Sequence, residues 1–200
     1  MRADAIVFGI AGSLFGLIIG WVLGTQNAGG TARLAAPAAQ SAPATAGAPA
    51  AQQPPPLDQA RVQALQTVAT GDPKNIESRV QLGNMYFDAE QYPQAITWYE
   101  QAIALNPADP NVSTDLGVAY YYTNQPDKAL AQFDKSLAAD PKHIKTLLNV
   151  GIVRAFGKSD MPGAAKAWEQ VVAISPDSPE GQAAKKGLEG VKNTAATAGK

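Results

Sequence analysis

"LGNMYFDAEQYPQA" (residues 82–95) and "LGVAYYYTNQPDKA" (residues 116–129) lie thirty-four positions apart and follow one pattern. Each opens on a Leu-Gly pair, Leu82-Gly83 or Leu116-Gly117, followed three residues on by a Tyr, Tyr86 or Tyr120. Each then passes through a Pro, Pro93 or Pro126, to an Ala, Ala95 or Ala129. Thirty-four residues is the interval of a helix–turn–helix repeat whose units bury a face only against their neighbours.

The residues between and beyond these sites agree. Tyr99 and Ala102 follow Ala95 before Pro107; Phe133 and Ser136 follow Ala129 before Pro141. A third unit offers Val150, Gly151 and Arg154, then Ala164, Trp168 and Val171 before Pro176. Antiparallel helices pack closely only where a side chain is small, so Gly83, Gly117 and Gly151 are expected to face Ala95, Ala129 and Ala164. Tyr86, Tyr99, Tyr120, Phe133 and Trp168 then fill the space around those contacts. Pro93, Pro126 and Pro162 suit the first turn of each second helix, where a missing N–H costs nothing. Asn106-Pro107, Asp140-Pro141 and Ser175-Pro176 end that helix. The third unit carries one extra residue, expected in the turn "GKSDMPG" (157–163), and an Arg154 that needs a carbonyl or carboxylate partner or must snorkel.

The pattern resembles the tetratricopeptide repeat (TPR) family over about residues 75–178. The resemblance implies an all-α TPR solenoid with units at 76–109, 110–143 and 144–178. An N-terminal capping helix is expected within 57–75, where Arg61, Leu65, Val68 and Pro73 read like half a repeat. A polar capping helix is expected at 179–192, with a disordered tail at 193–200. In this family the first helix of each unit lines a concave groove that holds a peptide or a helix of another protein. Carried over, that face comprises Val80, Asn84 and Phe87, then Asp115, Val118, Tyr121 and Tyr122, then Lys145, Leu148, Asn149, Ile152 and Phe156. Glu77, Gln81, Asp88, Asn111 and Thr114 map to the same helix face. Because neighbours on a helix diverge by ~100°, Tyr120, Tyr121 and Tyr122 cannot all point inward, and at least one faces the groove or its rim. One TPR subtype clamps a C-terminal carboxylate with Lys, Asn and Arg. Asn84 and Lys145 match its sites, but Val80 and Asn149 replace basic residues and Asp115 puts a negative charge where an Asn belongs, so that clamp is not expected.

The first fifty-six residues have a different character. They hold three charges (Arg2, Asp4 and Arg33) against thirty in the remainder. After a short flank at 1–4, residues 5–24 run uncharged, "AIVFGIAGSLFGLIIGWVLG". As a helix this stretch spans roughly 30 Å, the thickness of a bilayer's hydrocarbon core. It is longer than the ~7–15 apolar residues of a cleaved secretory signal, so an uncleaved anchor is expected. Gly12, Gly16, Gly20 and Gly24 recur every four residues and would form a smooth stripe for helix–helix pairing, with a second copy or with another membrane helix. Residues 25–56 contain twelve Ala, six Pro and three Gly. They have little to bury and read as a disordered tether, ~30 Å long as a coil and roughly 100 Å if extended. Arg2 and the terminal amine weakly favour a cytoplasmic N-terminus, which puts the repeats on the outer side, the periplasm of a bacterial inner membrane.

Several function classes find no support in the chain. Residues 57–200 carry fourteen Lys/Arg against sixteen Asp/Glu, without the basic clustering that nucleic acid demands. There is no cysteine for a thiolate nucleophile or a Cys-based metal site. No phosphate loop, H-E-x-x-H pair or nucleophile elbow occurs, and the single His143 reads as filling a repeat junction. No cofactor and no catalysis are expected. The leading expectation is a single-pass membrane adaptor that captures a protein segment, with an architecture like that of TPR factors in bacterial envelope assembly such as cytochrome c maturation. The alternative is a structural subunit assembled through the glycine-striped helix.

Overall fold

The computed structural model describes residues 54–198; the expected anchor at 5–24, its glycine stripe and almost all of the tether lie outside them. Within the described residues the chain forms eight α-helices and no strands. They are α1 (Gln59–Gly71), α2 (Ile76–Asp88), α3 (Tyr92–Leu105), α4 (Pro110–Tyr122), α5 (Pro126–Ala139), α6 (Ile144–Ile152), α7 (Met161–Ile174) and α8 (Pro179–Ala198). No described helix is long and apolar enough to cross a membrane. Each helix packs on the next in sequence, and α4 touches α6 as α6 touches α8, the stacking of a TPR solenoid.

Local chemistry sets the helix ends. Asp58, Asn75 and Asp109 sit in extended backbone before α1, α2 and α4 and accept hydrogen bonds from the first-turn N–H groups of Arg61, Ser78, and Asn111 with Val112. Pro occupies the first turn of α3, α4, α5 and α7. Between first and second helices the chain turns through a left-handed residue, Glu90, Asn124 or Ser159. At the first two the following N–H returns to Tyr86 O (2.8 Å) or Tyr120 O (2.9 Å), satisfying a last-turn carbonyl.

Inside, the glycines behave differently from expectation. A Cβ on Gly83 would lie 2.4 Å from the Tyr99 ring, one on Gly117 2.3 Å from Phe133, and one on Gly151 2.1 Å from Trp168. Each glycine therefore makes room for the aromatic ring of the second helix rather than for Ala95, Ala129 or Ala164. Those alanines are fully buried in their own right. The residue types were right, but the contact is one helical turn further along.

The extra residue of the third unit is also placed differently. From Leu82 to left-handed Glu90 is eight positions, as from Leu116 to Asn124, whereas Val150 to Ser159 is nine. The turn itself is unchanged, since Ala95, Ala129 and Ala164 each follow their left-handed residue by five. The addition is absorbed as a π-helical turn at Val153–Gly157, where Lys158 N–H reaches Val153 O at 3.1 Å. Arg154 in that turn donates to Asp160 at 2.8 Å, the carboxylate partner its position demanded. Asp160 also caps α7 through Gly163 N–H, and these two contacts, the backbone one foremost, hold its carboxyl below the usual range.

The caps need two corrections. In α1 the buried residues are Val62 and Ala69, while Arg61 and Val68 face outward. Arg79 of α2 is buried and divides its guanidinium between Ala69 O (3.0 Å) in the last turn of α1 and Asn75 O (2.6 Å) at the N-cap of its own helix. At the other end α8 continues to Ala198, past residue 192 where it was expected to stop.

Candidate functional site

The first helices α2, α4 and α6 supply the expected binding face. Val80, Val118 and Tyr121 are half-buried there, Asn84 is exposed, and Phe156 from the π turn keeps 39% of its surface exposed. Phe87 of α2 (7% exposed) is buried, and two expected groove residues of α6, Leu148 (1%) and Ile152 (3%), are interior. The α6 register that presents Lys145 and Asn149 turns these larger apolar groups into the stack. Thr114, expected on the same face, is interior as well.

The aromatic end of this face is an interlocked group. Phe87 packs edge-on against Tyr92 (5.2 Å between centroids) and Tyr122 (5.8 Å), while Tyr92 and Tyr122 stack at 4.5 Å. Tyr121 meets Tyr122 at 6.3 Å. Phe87 is thus 7% exposed and ties α2 to α3 and α4. Sequence reasoning missed Tyr92; its place at the start of α3, four residues after Asp88, was the available signal. Burial pushes the Tyr92 hydroxyl up to about 12, with Glu90 adding to the rise, and burial likewise raises Tyr121 and Tyr122. All three are neutral at ordinary pH. Tyr120 points away, with its hydroxyl donating to Glu100 and Lys128 over its ring.

The centre of the face is polar and acidic. Tyr99 donates through its hydroxyl to Asn84 Oδ1 at 2.7 Å. Burial raises the Asp115 carboxyl to about 6; Lys145 opposes the shift, and Asp109 and Asp88 add to it. Asp88 is raised by burial too. Asp115 itself is half-buried.

Beneath the face lies a hydroxyl network that joins α4, α5 and α6. Thr146 Oγ1 lies 2.6 Å from Thr114 Oγ1, 2.7 Å from Ser136 Oγ and 2.6 Å from His143 Nδ1. Thr114 and Ser136 both reach Pro110 O. His143 Nε2 approaches Asn111 Oδ1 at 3.2 Å; since that oxygen only accepts, Nε2 carries the proton and Nδ1 accepts from Thr146. Burial foremost lowers the His143 pKa, in keeping with a neutral, junction-filling imidazole.

The repeats are similar to those of known proteins. Residues 83–124 match the family model described as TPR repeat, and residues 111–143 match that of the tetratricopeptide repeat. The region 83–143 carries TPR repeats. The chain is 31% identical over 110 residues to the heat-shock protein cognate co-chaperone sgt12 of Aspergillus fumigatus, covering 55% of this chain and 32% of that protein. It is 28% identical over 120 residues to the formate-dependent nitrite reductase complex subunit NrfG of Escherichia coli O157:H7, covering 58% of this chain and 60% of that one. It spans less than two thirds of either relative. Among solved structures, the Sgt2 TPR domain from Aspergillus fumigatus superposes with a TM-score of 0.57 at 28% identity, covering 62% of this chain and 81% of that one.

Proposed function

We propose that this chain is a membrane-tethered, non-catalytic adaptor whose α2–α4–α6 face binds a peptide or helix of a partner protein. The observation that carries the reading is the composition of that face. Half-buried Val80, Val118 and Tyr121 and exposed Phe156 lie beside exposed or half-buried Asn84, Asp115, Lys145 and Asn149. Apolar and aromatic anchors among polar groups that fix orientation are what peptide docking uses. The likeness to a protein named as a co-chaperone and to one named as a subunit of a nitrite reductase complex supports service to other polypeptides. The apolar run at 5–24 supports attachment to a bacterial inner membrane with the repeats outside, and tethering raises the effective concentration of a weak binding site.

The test is site-specific photocrosslinking of the full-length chain in its native cell. A crosslinking residue replaces Val118 on the face or Lys135 on the exposed side of α5. The expected result is a discrete polypeptide adduct from position 118 alone. Identical adducts from both positions would remove the groove from the function.

A further inference from the structure

Asp115 is a charge without a partner. Its carboxylate accepts no hydrogen bond and forms no ion pair among the described residues. The groups whose charge it feels are Asp88 at the end of α2, Lys145 in the first turn of α6, and Asp109 at the N-cap of α4; Tyr99 of α3 feels Asp115 and Asp88 in turn. Asp115 lies on α4, three residues before Val118, and is half-buried. Every fully buried side-chain nitrogen or oxygen among the described residues has a hydrogen-bond partner. The unpartnered Asp115 carboxylate is therefore not fully buried, in keeping with the partial exposure of the residue.

Enclosed carboxylates are ordinarily paired, because desolvating a lone charge is costly. Lys145 is close enough to act on Asp115 but forms no ion pair with it. Asp88 and Asp109 deepen the negative potential. Asp115 is half-buried, with neither a hydrogen bond nor an ion pair among the described residues, on the same helix that offers Val118 and Tyr121.

We propose that Asp115 is the anchor for an arginine or lysine side chain of the polypeptide segment that occupies this face. The inference rests on the peptide-binding reading and adds the chemistry of the partner. A guanidinium or ammonium seated there supplies the hydrogen bonds and the charge the carboxylate lacks, in a setting where such bonds are stronger than at an open surface. Asp88 strengthens the attraction, and the methylene stem of the incoming side chain packs along Val118 and Tyr121. A segment ending in a carboxylate meets repulsion at the same point. Because a bound cation favours ionised Asp115, binding tightens as pH rises from 5 to 7.

The experiment pans a phage-displayed library of random dodecapeptides on the full-length chain in lipid nanodiscs, with empty nanodiscs as counter-selection. Asp115→Asn and Asp115→Ser are run in parallel, both verified as helical by circular dichroism. Wild type is expected to enrich peptides with an Arg or Lys in an apolar frame, and both variants to lose that preference. The leading peptide, resynthesised with norleucine for its basic residue, is expected to bind wild type about tenfold more weakly by fluorescence anisotropy, yet to bind Asp115→Asn as the parent peptide does. Enrichment without basic residues, or a basic preference retained by both variants, would overturn the anchor and leave the peptide-binding reading standing. No enrichment over empty nanodiscs would overturn both.

Discussion

Gly117→Ala adds one methyl group to α4, and the structure says where it goes. The new carbon would lie 2.3 Å from Phe133 Cε1, 2.6 Å from Cδ1 and 3.1 Å from Cζ. Phe133 is fully buried among Ala129, Val150, Val153 and Ala167 and is a rigid ring with no free end to swing aside. To restore ordinary van der Waals contact the ring or α4 must shift by about 1 Å. Overpacking of this kind costs about 1–3 kcal/mol, and three ring atoms in conflict put it at the upper end. Replacing Gly by Ala inside a helix returns about 1 kcal/mol, which leaves a net loss of about 2 kcal/mol. For a folded region of this size that is a fall in Tm of roughly 4–8 °C, read by circular dichroism at 222 nm on the full-length chain. The decisive measurement is a double-mutant cycle with Phe133→Leu, which alone costs about 1–2 kcal/mol through the cavity it leaves. With the ring gone the added methyl has room, so the double variant is expected to be at least about 1 kcal/mol more stable than the sum of the single losses. Losses that add within ~0.5 kcal/mol would show that Gly117 and Phe133 do not share that space.

Four further outcomes follow from particular contacts. Asn75→Ala removes the α2 cap on Ser78 N–H and should cost about 1 kcal/mol in urea unfolding; an unchanged midpoint would mean that solvent replaces the cap without loss. Thr146→Val withdraws the hydroxyl that joins Thr114, Ser136 and His143 and should cost about 1–3 kcal/mol, against no loss if α4 and α6 are held by apolar contact alone. The Asp115 carboxyl, ordinarily 3.8, stands at about 6 in the fold, so the native state binds more protons between those values and loses stability as pH rises through them. Asp115→Asn should therefore stabilise the chain at pH 7, on the order of 2 kcal/mol once the open side is allowed for, and leave it unchanged near pH 3.5; equal effects at both pH values would place the carboxylate in open solvent. Alkaline phosphatase fused after Lys200 should be active in bacterial cells if the repeats lie outside the membrane, and inactivity would reverse the proposed orientation.

The local grammar of the fold was legible in the sequence. The interval from Leu82 to Leu116 and the prolines at 93, 126 and 162 specify the repeat units through near-neighbour chemistry, and α2, α4 and α6 begin at residues 76, 110 and 144, the first positions of the three expected units. The binding face was legible only as a stripe. At ~100° per residue Leu148 and Asn149 both lie near the edge of that stripe, and the angle at which α6 stacks on α4 decides that Leu148 goes inside and Asn149 stays at the surface. The same holds for Phe87, whose burial depends on Tyr92 arriving from the next helix. It holds for the extra residue of unit three, which a turn or a π-helical turn could equally absorb until the Trp168 ring has to be seated over Gly151.

What the sequence determined by itself, then, is the repeat: its period, its helices and the small and large residues that interleave, because these follow from steric size and backbone chemistry within a few turns of chain. What only the tertiary structure decided is the condition of particular side chains. Asp115 is an acidic residue at a groove position in the sequence. That it is half-buried and without a hydrogen bond or ion pair among the described residues depends on how the neighbouring helices stack against α4. Distances between groups far apart in the chain set that condition, and they exist only once the helices have stacked.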